Sequence, residues 1–307
     1  MKRILITGVA GFIGSHVAHR FLAEGYDVVG IDDLSGGRLE NVPAGVELVI
    51  ADLADVGVVT RIPPGCRQIL HLAGQSSGEI SFDDPVADLQ KNTVSSLNLI
   101  RYGIQQKSER FVYASSMSVY GRSPDAPVDE AQTPQPLSCY GVGKLATEGY
   151  LRVYQRQLPF VTLRMFNVYG PGQDLRNLRQ GMVSIYLAQA LTSGKIEVRG
   201  SLDRFRDFIF IEDVVEAWWR AATTTDAANQ VLNVGTGQRT SVRELLEQLC
   251  QLAQATYFVQ GATPGDQMGI YASTERLRSM LGLGRLTKLE SGLPRFVDWA
   301  RRSMAAS

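Results

Sequence analysis

The stretch TGVAGFIG, Thr7 to Gly14, follows the apolar run RILIT and sets Gly8, Gly11 and Gly14 at three-residue spacing. A chain with that pattern has to end an extended segment, turn sharply and enter a helix packed close against the segment it just left. Residues 12–24 have the length of a helix, and DVVGID after them reads as a second buried strand. The rhythm continues. VELVIAD, QILHLAG, RFVYASS and FVTLRMFN are short, β-branched and near-continuously apolar, and helix-length segments lie at 84–106 and 139–157. Strands that are apolar throughout, rather than alternating, belong to a parallel sheet covered on both faces.

The expected fold is therefore α/β, a doubly wound parallel sheet of the Rossmann type. After about residue 168 the alternation breaks into a polar, Gly- and Arg-rich loop, YGPGQDLRNLRQG, followed by a helix-like segment at 182–193. FRDFIFIEDVVEAWWRAA and LNVGTG then return to strand and helix. Residues 1–168 are expected to form the dinucleotide domain, joined by a segment at about 207–235. Residues 169–307 are expected to form mainly a smaller, interleaved substrate lobe.

Glycine turns of this kind also serve strand-to-helix junctions that bind nothing, so context has to decide. Here a strand precedes, a helix follows, and Asp32 ends the next strand 18 residues after Gly14. The helix N-terminus offers free N–H groups and partial positive charge to a pyrophosphate. An acidic side chain at Asp32 can bind ribose hydroxyls and repels a 2′-phosphate. NAD is the expected cofactor, with Arg38 the one nearby argument for NADP. The Asp32–Asp33 pair also suits a plain turn, and Asp52, ending VIADL, is placed to approach the adenine.

Composition narrows the remaining classes. The 31 basic and 31 acidic residues cancel, so nothing favours nucleic acid, which needs a basic face. Three scattered cysteines, Cys66, Cys139 and Cys250, have no CxxC spacing, and three histidines, His16, His19 and His71, make no metal motif. No run of 18 apolar residues occurs, and the apolar start is too short for a signal peptide. The expectation is a cytoplasmic protein with no membrane partner.

The stretch YGVGK places Tyr140 and Lys144 one helical turn apart. Such a pair can be a solvated surface pair. It can also be an acid/base pair, because an ammonium beside a phenol favours the phenolate, and the phenolate can take a proton from a substrate hydroxyl. The strand YASSMSVYG ends in two hydroxyls, Ser115 and Ser116, at the carboxyl edge where open α/β sheets place ligands.

Together these motifs resemble the extended short-chain dehydrogenase/reductases, in particular their NAD-dependent nucleotide-sugar epimerase and dehydratase branch. TGVAGFIGSH, IDDLSGG, HLAG, SSMSVYG, YGVGK, RMFNVYGPGQ, RFRDFIFIEDVVEA, NVGTG and PGD occur in that family's order over nearly the whole chain. The resemblance implies a catalytic set of Ser116, Tyr140 and Lys144. It implies that Gly8, Gly11, Phe12, Ile13, Gly14, Asp32, Asp33, Asp52, Leu53, Leu72, Ala73, Gly74, Ser115, Tyr140 and Lys144 hold NAD. Ser76, Ser116, Asn167 and Arg206 would contact the substrate, a nucleotide-diphosphate sugar carrying UDP. Helices at 84–106 and 139–157 resemble those of a four-helix dimer interface, so a homodimer is expected.

Departures from the family's pattern refine the expectation. Its 4,6-dehydratases carry an Asp-Glu pair after the catalytic hydroxyl, where this chain has Met117 and Ser118. Neither can do acid/base work at neutral pH. What remains is chemistry at one carbon: 4-epimerisation of a UDP-hexose or UDP-N-acetylhexosamine by transient oxidation. Reduction of a 4-keto sugar by NAD(P)H and a non-catalytic dinucleotide sensor are the alternatives. Thr263 and Pro264 stand where a diphosphate arginine often precedes GD, so that part of the grip is expected to be absent or supplied by another arginine, such as Arg176 or Arg179. Ile270 aligns with a gate position. Cys139, Trp218, Trp219 and His71 are read as structural.

Overall fold

The computed structural model describes residues 2–123, 125–261 and 268–305. Its strands are β1 (Arg3–Thr7), β2 (Asp27–Asp32), β3 (Glu47–Ile50), β4 (Gln68–His71), β5 (Arg110–Ser116), β6 (Phe160–Met165) and β7 (Asn167–Tyr169), then β8 (Lys195–Val198), β9 (Phe205–Arg206), β10 (Phe208–Phe210), β11 (Gln230–Val234), β12 (Thr240–Ser241), β13 (Thr256–Val259) and β14 (Gly269–Ile270). Seven of them form one sheet in the order β11-β6-β5-β4-β1-β2-β3, with every neighbouring pair parallel. The order reverses at β1, and open α/β sheets bind ligands at that switch point, beyond the carboxyl ends of the strands.

The helices are α1 (Phe12–Ala23), α2 (Pro85–Leu89), α3 (Ser95–Gln105), α4 (Cys139–Tyr154), α5 (Met182–Ser193), α6 (Ile211–Thr223), α7 (Val242–Ala253), α8 (Glu275–Leu281) and α9 (Leu289–Ala305). Strand alternation divides the core. Ile4 and Ile6 point to one face, where Val17 and Phe21 of α1 meet Val214 and Trp218 of α6. Leu5 points to the other, packed with Leu99, Tyr102 and Leu151 of α3 and α4. Each such side chain, fully buried, contributes roughly 1.5–3 kcal/mol. A third cluster, including Leu187, Leu246 and Phe296, packs α5, α7 and α9 together.

The segment read as one helix from 84 to 106 is interrupted. Asp84 caps its start by accepting from the Val86 and Ala87 N–H groups, and Pro85 takes the first turn, where no N–H is needed. Between α2 and α3 the chain widens into a π turn, Gln90–Val94. π turns are rare and gather at functional sites.

At the switch point β1 and β4 are locked by Thr7 and His71. The Thr7 hydroxyl accepts the N–H groups of Leu72 and Ala73, so its own proton goes to His71 Nδ1, 2.8 Å away. His71 Nε2 therefore carries the ring proton and donates to Ser96 Oγ at 2.9 Å, and Ser96 donates to the Asn92 carbonyl. Burial holds this imidazole neutral, with its pKa pushed down to about 3. His71 is a structural crosslink.

Candidate active site

A cleft of about 620 Å³ opens at the switch point, floored by the first strand-to-helix turn. Gly8 has φ +68°, and a Cβ there would lie 2.8 Å from the Ala73 nitrogen. A Cβ on Gly14 would lie 2.0 Å from the Gly8 carbonyl oxygen. Both positions require glycine, one for the turn and one for the close approach of α1. No side chain caps α1, whose N-cap is Gly11, so its first N–H groups remain available to a phosphate.

The cleft's far end is acidic. Asp32 is buried, and its carboxylate accepts the Ala10 and Leu34 N–H groups at 2.9 Å each. Two of its roughly four acceptor positions remain for ribose hydroxyls. Lys91 joins Asp33 to Asp52, the latter at 3.6 Å, and so ties the ends of β2 and β3 to the π turn. Arg38 is paired with Glu40. The bare helix start, the two obligatory glycines and the acidic end fit NAD.

At the near end, α4 starts from Ser138, whose hydroxyl accepts the Gly141 N–H at 3.1 Å. Tyr140 and Lys144 share its buried face and both line the cleft. The Lys144 ammonium lies 5.4 Å from the Tyr140 ring centroid and 5.1 Å from that of Tyr113, a cation between two rings. Ser116, at the tip of β5, lies just outside the cleft lining and donates to Ser118 Oγ at 3.2 Å, close enough to the Tyr140 phenol to bear on its proton. Tyr140 and Lys144 thus share the cleft wall, with Ser116 at the adjoining strand tip.

In the resting site burial, rather than Lys144, decides the state of the phenol. Burial dominates and pushes Tyr140 up to about 12, opposed by the Ser116 hydrogen bond and reinforced by the negative charge of Asp88. Burial also lowers Lys144 to about 8, and Asp88 opposes that shift. The site at rest holds a neutral phenol and a lysine whose charge is contested.

Residues 4–235 match the family described as the NAD dependent epimerase/dehydratase family. The chain belongs to that family. It is 36% identical to a UDP-glucose 4-epimerase of Mycolicibacterium smegmatis, over 97% of this chain and 98% of the relative. Among solved structures it is similar to a UDP-glucose 4-epimerase of Thermotoga maritima with UDP-glucose, with TM-score 0.93, 31% identity, and coverage of 98% of this chain and 99% of that one. It is also similar to the Thermus thermophilus UDP-glucose 4-epimerase in complex with NAD, with TM-score 0.89, 33% identity, and coverage of 97% and 99%.

Of the residues expected at the site, Gly8, Gly11, Phe12, Ile13, Gly14, Asp32, Asp33, Asp52, Leu53, Leu72, Ala73, Gly74, Ser76, Tyr140 and Lys144 line the cleft. Ser115 is a correction. Alternation along β5 sends it away from Ser116, and its buried hydroxyl donates to Glu148 at 2.6 Å instead of facing a cofactor. Asn167 and Arg206 lie outside this lining, on the short strands β7 and β9. The Asn167 amide donates to the Asp207 carbonyl at 3.0 Å and Arg206 to the Phe205 carbonyl at 2.8 Å. The Asp207 carboxylate is saturated by Thr236, Gly237 and Ala272, so the adjacent acid is occupied elsewhere.

The arginines expected to replace the diphosphate contact do not enter the cleft. Arg176 pairs with Asp174 at 3.1 Å, and Arg179 reaches Asp83 at 2.9 Å and Glu79 at 3.3 Å. With Gln180 donating to Ser76 at 2.7 Å, the loop at 171–180 forms a strap across the cleft mouth. Thr263 and Pro264 lie outside the described residues. Ile270 is buried in an apolar cluster with Val128 and Phe166. Sequence reasoning missed Gln75, Asp88 and Lys91 in the cleft wall. The one available signal was an acid and an amide four apart, Asp88 and Asn92, on a helix facing the cleft.

Proposed function

We propose that this protein is an NAD-dependent nucleotide-sugar 4-epimerase acting on a UDP-hexose. The observation that carries the reading is the set of Ser116, Tyr140 and Lys144 beside a dinucleotide cleft, with Met117 and Ser118 where an eliminating enzyme needs acids. Tyr140 takes the proton of the C4 hydroxyl, and Ser116 hydrogen-bonds the same oxygen as its charge changes. Lys144, charged, stabilises the phenolate while it exists. Bound NAD would supply the carbon that accepts hydride from C4 and returns it. Tyr140 then returns the proton to the C4 oxygen once the sugar presents its other face. Asn167 and Arg206 are assigned to the sugar's diphosphate, since a guanidinium fork suits phosphate oxygens. The curated and solved relatives named UDP-glucose 4-epimerase support the choice of substrate.

Incubation with UDP-glucose or UDP-galactose, without added reductant, is expected to interconvert the two, read as C4 inversion by NMR. Turnover only with a 4-keto sugar and stoichiometric NAD(P)H would move the assignment to a reductase. The protein is further proposed to act as a homodimer through α2 and α4, which expose Val86, Leu89, Val142 and Val153 on their outer faces. Val153→Glu is expected to yield monomers in sedimentation velocity. Residues 1–168 with 207–235 are assigned to the cofactor and the rest mainly to the nucleotide sugar. A cytoplasmic setting is proposed; among the described residues no helix is long and apolar enough to cross a membrane.

A further inference from the structure

A second acid stands behind the catalytic pair. Asp88, on α2, is 2% exposed. Its Oδ1 accepts from Gln75 Nε2 at 2.9 Å and from Asn92 Nδ2 at 3.0 Å. The orientation of Gln75 is fixed independently, because its Oε1 takes the Ser77 N–H and its Nε2 donates to the Ser77 carbonyl at 2.7 Å. Two donors on one oxygen are the partners of an ionised carboxylate. Asp88 Oδ2 has no protein donor and lies 3.7 Å from where a Cβ on Gly143 would sit, one residue before Lys144.

Asn92 repeats the pattern from the π turn. Its Oδ1 is buried with no protein donor, 2.5 Å from the position of a Cβ on Gly74. The Lys144 ammonium is 3.6 Å from that same position. Asn92 Oδ1 thus stands close to the Lys144 ammonium, and both it and Asp88 Oδ2 are buried acceptors without a protein donor in the wall that carries Lys144, groups that call for an explanation.

The other titratable groups around Lys144 are silent. His71 on β4 is neutral and committed to Thr7 and Ser96. Tyr113 on β5 is held protonated by burial. On α4 itself, Tyr140 is a neutral phenol at rest and Glu148 is spent on Arg164 at 2.7 Å. Among the described residues facing Lys144, that leaves Asp88 on α2.

We propose that Asp88 is a positioning residue of the reaction: its carboxylate, held by Gln75 and Asn92, is the counter-charge that keeps Lys144 an ammonium beside Tyr140. The inference rests on the 4-epimerase reading of the site. Burial alone drives Lys144 toward neutrality, and the Asp88 charge opposes this. The same charge disfavours the phenolate, so Asp88 fixes the resting site in one state, with lysine charged and tyrosine neutral. Its own pKa stays raised by burial, with Gln75, Asn92 and Lys144 each opposing the rise, so carboxylate and ammonium favour each other's charge.

The test uses the NAD-loaded enzyme labelled with 13C at the lysine Cε, with the Lys144 signal assigned by its loss in Lys144→Met. In the wild type the Lys144 signal is expected to titrate near pH 8. In Asp88→Asn the midpoint is expected to fall by about half a unit or more, because the opposing charge is gone. The alkaline limb of kcat for C4 inversion should move down by the same distance, with KM for the sugar unchanged, and Asp88→Glu should restore both. An unmoved Lys144 midpoint overturns the proposal, as does a loss of kcat equal at every pH with a lowered Tm, which is the mark of a merely structural acid. If Asp88→Asn does not fold, Gln75→Ala loosens the carboxylate without removing it. That variant should move the midpoint in the same direction by a smaller amount, and no movement is equally fatal. A wild type that titrates as described without inverting C4 defeats the epimerase reading and leaves Asp88 standing.

Discussion

Two buried acids meet at α4, Glu148 on the helix itself and Asp88 on α2 packed against it, and they are finished differently. Glu148, on α4 against β5 and β6, has both oxygens answered: Oε1 by Ser115 at 2.6 Å and Arg164 Nε at 3.0 Å, Oε2 by a second Arg164 nitrogen at 2.7 Å. Arg164 is further covered by the Tyr120 ring, 4.8 Å from its guanidinium carbon. Asp88, on the cleft side, has one oxygen answered and one open, beside a lysine that burial is discharging. The closed pair fixes α4 against β5 and β6. The open pair leaves charge available where protons have to move. Around a single helix, the acid bonded at both oxygens belongs to the scaffold and the acid with one oxygen open lines the cleft.

The sharpest way to break that contrast is on the open side. Tyr140→Phe removes one oxygen and is expected to lower kcat by roughly 10²–10⁴. NAD released on denaturation should remain near one per chain, and Tm should hardly move. Retention of most of the activity would remove Tyr140 as the acid/base group.

On the closed side the expectation inverts. Glu148→Gln leaves Arg164 buried without its counter-charge and should cost about 3–5 kcal/mol of stability in urea unfolding. Turnover per folded molecule should stay within about threefold, because no reacting atom is touched. A stability loss too small to measure would mean that the closed pair is no scaffold.

His71 gives the smallest and most specific effect. Its folded pKa, about 3, lies below its unfolded value, so as pH falls the unfolded chain takes the proton first. Stability from this group is fully present above pH 6.5 and is lost on acidification, by about 2 kcal/mol between pH 6.5 and 5. His71→Gln should flatten the slope of stability against pH over that window, read from denaturation midpoints at pH 7 and pH 5. An unchanged slope would mean that the ring titrates freely.

Much of the scaffold was legible because local sequence and fold agree. RILIT followed by TGVAGFIG predicts β1, the turn and α1, and the structure has them at Arg3–Thr7 and Phe12–Ala23. YGVGK predicts two side chains on one helix face, and both line the cleft. The failures share a cause, the chemistry of neighbours distant in sequence. Ser115 and Ser116 look alike in a strand buried on both faces, and only the position of Glu148 shows which of them is structural. Arg176 and Arg179 looked available for phosphate until Asp174, Asp83 and Glu79 came beside them. The π turn had no signature in QKNTV, because widening a helix by one residue leaves apolar spacing almost unchanged.

The edge strand β11 has a consequence for how the molecule is made. It pairs with β6 across nearly seventy residues of intervening chain, Gln230 opposite Val161, and Arg110 reaches the carbonyls of Ala221 and Thr224 on the way. Until residue 234 has left the ribosome, the newly synthesised chain carries the six other strands of the sheet with β6 as an uncovered edge, Val161 and Leu163 included. Such an edge invites pairing with a neighbouring chain, and its late closure is slow because the contact is remote in sequence. The sheet is therefore completed only once residues 230–234 are free to pair, and protection of the β6 edge by a chaperone counts most before then.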